Sequence, residues 1–255
     1  MIALENVFLT LGNKRILEEV SFQVAPGETK VILGGSGSGK TTILRLILGL
    51  HKPESGSIQV AGEEISRLHD RELPHIRRQM AMVFQGAALF DSLTVRENVG
   101  YRLWEHQLAS DEQIESTVRE SLQFVGLEDT IDKMPADLSG GMRKRVGIAR
   151  ALASGASILL YDEPTAGLDP MNSFSIGRLV LKLKDKGVTQ VIVTHDLELA
   201  FRVADRIIMI QRGRIAFQGT PKDLSGREDP AIRGFLDPAS LSPDQWDALA
   251  KRGKG

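Results

Sequence analysis

The sequence predicts an α/β fold organised around a phosphate-binding loop, and three observations carry that expectation. First, Gly34-Gly35-Ser36-Gly37-Ser38-Gly39-Lys40-Thr41-Thr42 lies between the apolar run Lys30-Val31-Ile32-Leu33 and the helical stretch Ile43-Leu44-Arg45-Leu46-Ile47-Leu48. That is strand, glycine-rich turn and helix, with the spacing G-x-x-x-x-G-K-[ST]. Second, strand and helix signals alternate again from residue 157 onward. Third, residues 2–33 hold three strand signals with no room for crossover helices, which points to antiparallel pairing.

Taken in order, strands are expected over residues 2–7, 16–24 and 29–33, separated by Gly12-Asn13 and Pro26-Gly27. The helix after the loop stops near Gly49. Pro53-Glu54-Ser55-Gly56 reads as a turn and residues 57–60 as a short strand. A polar helix is expected around 70–78, followed by an apolar run over 80–84. Residues 86–155 read as mainly helical. Within them Ser110-Asp111-Glu112-Gln113 is a capping box, and Ile114, Val118, Leu122 and Val125 share one helical face up to Gly126. Another helix runs from after Ser139 to about Ala153. A short buried strand follows over 157–161. Asp169-Pro170 is an N-cap with proline at the first helical position, and Ile176, Leu179, Val180 and Leu183 mark that helix's core stripe. Residues 190–193 and 206–210 are buried strands, and Arg212-Gly213 turns into 214–217. Residues 1–236 read as one folded unit and 237–255 as a tail. In the tail, Ser242-Pro243-Asp244-Gln245 can open a short helix with Trp246, Leu249 and Ala250 on one face. A solvated end and a docking helix for a neighbouring subunit both fit that pattern.

Composition narrows the function classes. The 255 residues are 42% hydrophobic and 25% charged, as in ordinary soluble globular proteins. A net charge of −1 offers no bulk attraction to nucleic acid. The absence of cysteine excludes disulfide and thiol chemistry and fits the cytoplasm. No apolar run reaches the roughly 18–20 residues of a membrane span, and the start of the chain lacks a signal-peptide pattern. A membrane role is therefore expected to run through a partner.

The chemistry-bearing residues fall at element ends. Glycines let the loop backbone approach phosphates and take positive φ, and the helix start adds free N–H groups and a positive dipole end. Lys40 can reach β- and γ-phosphates, and the Thr41 hydroxyl can ligate Mg²⁺. A dinucleotide reading fails, because G-x-G-x-x-G from Gly35 would need glycine where Lys40 stands. Ile158-Leu159-Leu160-Tyr161 ends in Asp162-Glu163. Beside a phosphate loop, Asp162 suits Mg²⁺, directly or through water, and Glu163 suits acceptance of a proton from attacking water; a solvated acidic turn is the plain alternative. Leu138-Ser139-Gly140-Gly141-Met142 starts a second helix with open N–H groups. Ser139 is either a simple N-cap or part of an anion site serving a neighbouring chain's nucleotide. His195 and Gln85 each follow a core strand, where they are either structural or in reach of the γ-phosphate and Mg²⁺.

Together these motifs resemble the ATPase subunit of an ABC transporter, across nearly the whole chain. The phosphate loop matches Walker A, residues 158–163 Walker B, Gln85 the Q-loop and residues 138–142 the signature. Ala166-Gly167-Leu168-Asp169 matches the D-loop and His195 the switch histidine. The resemblance implies a RecA-like α/β core, an antiparallel β lobe and a helical subdomain at about 86–155. It implies ATP and Mg²⁺ as ligands. Gly34, Gly35, Ser36, Gly37, Ser38, Gly39, Lys40, Thr41 and Thr42 would surround the nucleotide, joined by Ser139, Gly140 and Gly141 of a second copy in a head-to-tail dimer. Thr41, Gln85 and Asp162 would hold the metal, and Glu163, Gln85 and His195 would serve catalysis.

A narrower resemblance rests on residues 84–99, 138–145 and 229–236. It is to the ATPases of Mla/Mce-type phospholipid transport systems. That implies the cytoplasmic face of a bacterial inner membrane, a permease, an MCE-domain lipid-binding protein and a STAS-domain subunit. Two positions depart from the wider family: Met142 replaces the glutamine ending the signature, and Leu11 replaces the adenine-stacking aromatic. A P-loop GTPase is disfavoured because Asn13-Lys14 is followed by Arg15-Ile16, not by the x-Asp of a guanine-reading motif. A non-transport ABC ATPase and a transporter of an amino acid, metal or drug are the other rivals.

Overall fold

The computed structural model describes residues 1–236, so the expected tail helix at Trp246 and Leu249 lies outside the described residues. The strands are β1 (Ile2–Leu11), β2 (Lys14–Val24), β3 (Thr29–Leu33), β4 (Ser55–Val60), β5 (Glu63–Glu64), β6 (Met80–Val83), β7 (Ile158–Asp162), β8 (Thr189–Thr194), β9 (Arg206–Gln211) and β10 (Arg214–Gly219). The α-helices are α1 (Lys40–Ile47), α2 (Pro74–Arg77), α3 (Val95–Glu105), α4 (Asp111–Val125), α5 (Gly140–Ala153), α6 (Pro170–Asp185), α7 (Leu197–Val203), α8 (Pro221–Ser225) and α9 (Pro230–Leu236).

Two sheets organise these elements. One has four strands in the order β2-β1-β4-β5; the other has six in the order β10-β9-β3-β8-β7-β6. In the larger sheet β6, β7, β8, β3 and β9 run parallel, and β10 closes one edge antiparallel to β9. The expected antiparallel pairing of the first three strands holds for β1 with β2 and fails for β3. That strand leaves the hairpin and runs parallel between β8 and β9. The reason is in its side chains: all five residues are buried, and a strand buried on both faces belongs inside a parallel sheet, not in a two-stranded ribbon.

The pleat of β3 serves two cores. Val31 and Leu33 join the cluster containing the cores of α3, α4, α5 and α6. Ile32 joins the cluster that covers α1 and the inner face of the four-stranded sheet. The larger sheet is thus covered on both faces, as parallel sheets require.

Two smaller expectations change. Ser55 and Gly56 open β4 instead of lying in a turn. Gly56 takes φ 91, and a Cβ there would stand 2.4 Å from the Asn6 carbonyl oxygen, at the shift in register between β1 and β4. The polar helix expected at 70–78 breaks into a 3₁₀ turn at Asp70–Glu72 and α2, which starts at Pro74. Proline suits a first helical position but not an interior one. The capping box at Ser110 is formed, and Gly126 ends α4 with φ 68. Among the described residues no helix is long and apolar enough to cross a membrane.

Candidate functional site

Strand order builds the site. Neighbours β3, β8 and β7 end at the same edge of the sheet, so the loops after them converge there. The carboxyl edge of a parallel sheet is where such folds bind ligands. The loop after β3 turns through Gly37 (φ 74) and Gly39 (φ 102) before α1 begins. Gly34 is needed for space: a Cβ there would lie 2.5 Å from the Ile210 carbonyl oxygen.

Lys40 opens α1 and folds back over the loop. Its Nζ donates to the carbonyl oxygens of Gly34 at 2.8 Å and Gly35 at 3.0 Å, and lies 3.6 Å from Glu163 Oε1. The Thr41 hydroxyl donates to Asp162 Oδ1 at 2.9 Å. Burial pushes the Asp162 carboxyl above its ordinary value; the Thr41 hydrogen bond acts against that rise, and the Glu163 charge adds to it. These are hard oxygen donors of the kind Mg²⁺ takes. Ser38 Oγ is buried without a partner in the protein. An orphan hydroxyl inside this loop fits a missing phosphate oxygen.

Glu163 follows the last residue of β7 and sits at φ 48, a costly region for a non-glycine residue. Its amide donates to the Val193 carbonyl at 2.9 Å, which pins the turn to β8. Its Oε2 accepts from the Thr194 hydroxyl at 3.1 Å and the His195 amide at 3.3 Å. His195 Nδ1 stands 2.9 Å from the same oxygen. The Glu163 side chain is 13% exposed, so it is largely shielded from bulk water.

Some expected residues gather here and others do not. Lys40, Thr41, Asp162, Glu163 and His195 form one connected cluster. Gln85 is exposed two residues beyond β6, at the same edge, because Val83 pairs with Tyr161. Ser139 and Gly140 are exposed at the start of α5, with Ser139 Oγ accepting from the Met142 amide at 3.3 Å. Gly141 is buried, and a Cβ there would lie 2.4 Å from Asn172 Oδ1. Its lack of a side chain therefore also serves the packing of α5 on α6.

Three residues in the cluster were not singled out from sequence. Thr165 Oγ1 donates to Asp196 Oδ2 at 2.8 Å, tying the loop after β7 to the loop after β8. Lys144 of α5 donates to the Ala166 carbonyl at 2.6 Å and the Glu163 carbonyl at 3.4 Å. Burial lowers the pKa of its ammonium, and the Glu163 charge acts the other way. A lysine in the basic run Arg143-Lys144-Arg145 carries no sequence sign of burial. A cleft of about 560 Å³ flanks the loop, lined among others by Lys14, Arg15, Arg212, Ser38 and Phe235. Leu11 is 40% exposed.

A phosphate loop, a half-buried carboxylate pair and a histidine at one sheet edge can bind a nucleoside triphosphate with a divalent cation and direct water at it. Comparison with known proteins agrees. The family model described as ABC transporter matches residues 17–166. The chain is 36% identical over 244 residues to the intermembrane phospholipid transport system ATP-binding protein MlaF of Escherichia coli (strain K12), covering 95% of this chain and 91% of that protein. It is 41% identical over 228 residues to the methionine import ATP-binding protein MetN of Carboxydothermus hydrogenoformans, covering 88% of this chain and 67% of that one. Among solved structures, the dimeric post-hydrolysis state of the ATP-binding cassette MJ0796 bound to ADP and Pi superposes with TM-score 0.79 at 36% identity. That match covers 87% of this chain and 99% of that chain.

Proposed function

This chain belongs to the ABC transporter family as an ATP-hydrolysing subunit, and from that premise we propose that it drives phospholipid movement through a membrane permease. The observation that carries the cargo is the similarity to MlaF over almost the full length of both proteins. We place the subunit on the cytoplasmic face of an inner membrane. Its partners there are a permease, an MCE-domain lipid-binding protein and a STAS-domain subunit.

In this reading the amides of residues 34–42 and the Lys40 ammonium hold the ATP phosphates, which replace the Gly34 and Gly35 carbonyls as partners of Lys40. Thr41, Asp162 and Gln85 hold Mg²⁺, which neutralises phosphate charge when bound. Glu163 takes the proton from attacking water. Thr194 and the His195 amide aim its carboxylate, and His195 stands ready beside it for the γ-phosphate. Ser139 and Gly140, which open to solvent at the start of α5, close on the nucleotide of a second copy, with the buried Gly141 beside them. ATP binding draws two chains together head to tail; hydrolysis and product release let them part. Residues 86–155 carry the helical subdomain of this cycle.

The similarity to MetN keeps an amino-acid cargo as a second reading. Purifying the tagged chain from native membranes separates the two. Recovery of an MCE-domain protein, a permease and phospholipid supports the lipid reading. Recovery of an amino-acid permease without an MCE-domain protein rejects it while leaving the ATPase assignment intact.

A further inference from the structure

The loop after β6 is built in an unusual way. Ala87 and Ala88 are consecutive and both left-handed, with φ 63 and φ 47. Neither is glycine, so each has a Cβ in a region that L-residues avoid. The Ala87 amide donates to the Phe84 carbonyl at 2.9 Å, closing a tight turn around Gln85 and Gly86. Something outside the turn must hold it, and Arg150 of α5 is in place to do so. Its Nη1 donates to the Ala88 carbonyl and its Nη2 to the Ala87 carbonyl, both at 2.8 Å. The planar fork of a guanidinium presents two N–H groups in a fixed geometry to two adjacent acceptors, a geometry that the rotatable ammonium does not pre-set.

Two further contacts place the loop on the helical side of the molecule. Gly147, one turn before Arg150, runs close to Ala87, at about 3.6 Å from where its Cβ would be. Asn98 of α3 is fully buried. It accepts from the Phe90 amide at 2.8 Å and donates to the carbonyls of Phe90, Leu93 and Thr94, each at 3.0 Å. Residues 87–94 are therefore latched by side chains from α5 and α3, and Gln85 lies between that latched stretch and β6.

We propose that Arg150 is a positioning residue for Gln85: its guanidinium holds the left-handed Ala87–Ala88 pair and so ties the place of Gln85 to that of α5. The helix that opens with Ser139 thereby sets the loop that follows β6. The inference rests on the proposed role of Gln85 in turnover.

A double-mutant cycle on ATP hydrolysis by the full chain tests it. The variants are Gln85→Ala, Arg150→Gln and their combination, with Arg150→Gln also placed in an Ala87→Gly/Ala88→Gly background. Arg150→Gln is expected to lower kcat about tenfold or more while changing KM for ATP less than about threefold, as for a group misplaced without loss of substrate grip. Added to Gln85→Ala, it should lower kcat by less than about twofold, since the residue it positions is already gone. The glycine pair should return much of the lost turnover, because glycine takes positive φ without a latch. Full multiplication of the two effects, no loss from Arg150→Gln, or no recovery with the glycine pair would overturn the inference. If Gln85→Ala alone leaves kcat unchanged, the Gln85 reading itself fails, and this inference falls with it. Should Arg150→Gln not fold, the cycle is run with Arg150→Lys, which keeps the charge and loses the fork.

Discussion

Two loops that leave the same parallel sheet solve the same backbone problem in opposite ways. The loop after β3 must turn left-handed at residues 37 and 39, and both are glycine. The loop after β6 turns left-handed at residues 87 and 88, and both are alanine. Glycine meets that demand with little steric cost; alanine meets it at roughly 1–2 kcal/mol per residue, offset here by the Arg150 fork. The first loop is therefore a self-sufficient cradle that ends on its own helix. The second is contingent, holding its shape while a helix from another part of the chain keeps hold of it.

The largest expected effect bears on what the rigid loop serves. Glu163→Gln should lower the turnover rate by about 10²–10⁴-fold while ATP binding persists, since general-base removal costs that much. Near-normal hydrolysis by this variant would remove Glu163 from the mechanism. Lys40→Ala should instead weaken ATP binding itself, which a direct titration distinguishes.

Next comes the rigid loop's own shape. Gly39→Ala places a Cβ at φ 102, 2.8 Å from Leu17 Cδ2 and 3.2 Å from the Ile16 carbonyl oxygen. Left-handed strain and overpacking together should cost about 2–4 kcal/mol in urea unfolding. Unchanged stability would mean that the loop can relax, and the contrast with the second loop would disappear. Ala87→Gly should behave oppositely. Relief of backbone strain outweighs the extra freedom of the unfolded chain, so stability should hold or rise by up to about 1 kcal/mol. A loss of 1 kcal/mol or more would show that this alanine is not strained.

Asp162 gives a pH-dependent effect. Its carboxyl is raised in the folded protein, so its ionised form costs stability. That cost is absent below the unfolded pKa of about 4 and complete above the folded pKa. Without nucleotide and Mg²⁺, Asp162→Asn should melt higher than the parent at pH 7, with the gap shrinking as pH falls toward about 4. A gap that widens on acidification would reverse the sign of the argument.

The smallest effect concerns the base. With Leu11 in place of an aromatic platform, GTP should compete with ATP within roughly tenfold, about 1.4 kcal/mol. A much larger preference in a competition titration would direct attention to Phe235, which lines the cleft beside the loop.

How far these features could be read from sequence follows the same contrast. The rigid loop was legible because each of its constraints is written in residue type: glycine for positive φ, lysine and threonine at set spacing. The caps at Ser110 and Asp169 were legible for that reason too. The capping box at Thr94 and Glu97, which starts α3, has the same local form and was simply not singled out. The alanine loop was not legible, because alanine is not a turn residue and the arginine that holds it lies 62 residues away. Nor was the burial of Lys144, whose partners are backbone carbonyls of another loop.

By itself the sequence determined the fold class and the strand, glycine-rich turn and helix of the first loop, because local spacing and residue chemistry suffice for those, and it singled out Asp162, Glu163 and His195 through the resemblance of the whole motif set to a family. Tertiary structure alone decided that β3 sits between β8 and β9. It also decided that Glu163 is gripped by Thr194 and His195 from the neighbouring strand's end, and that Arg150 reaches the loop after β6. These depend on which strands lie side by side and on which carbonyls are left without partners, and both arise from contacts between residues far apart in the chain.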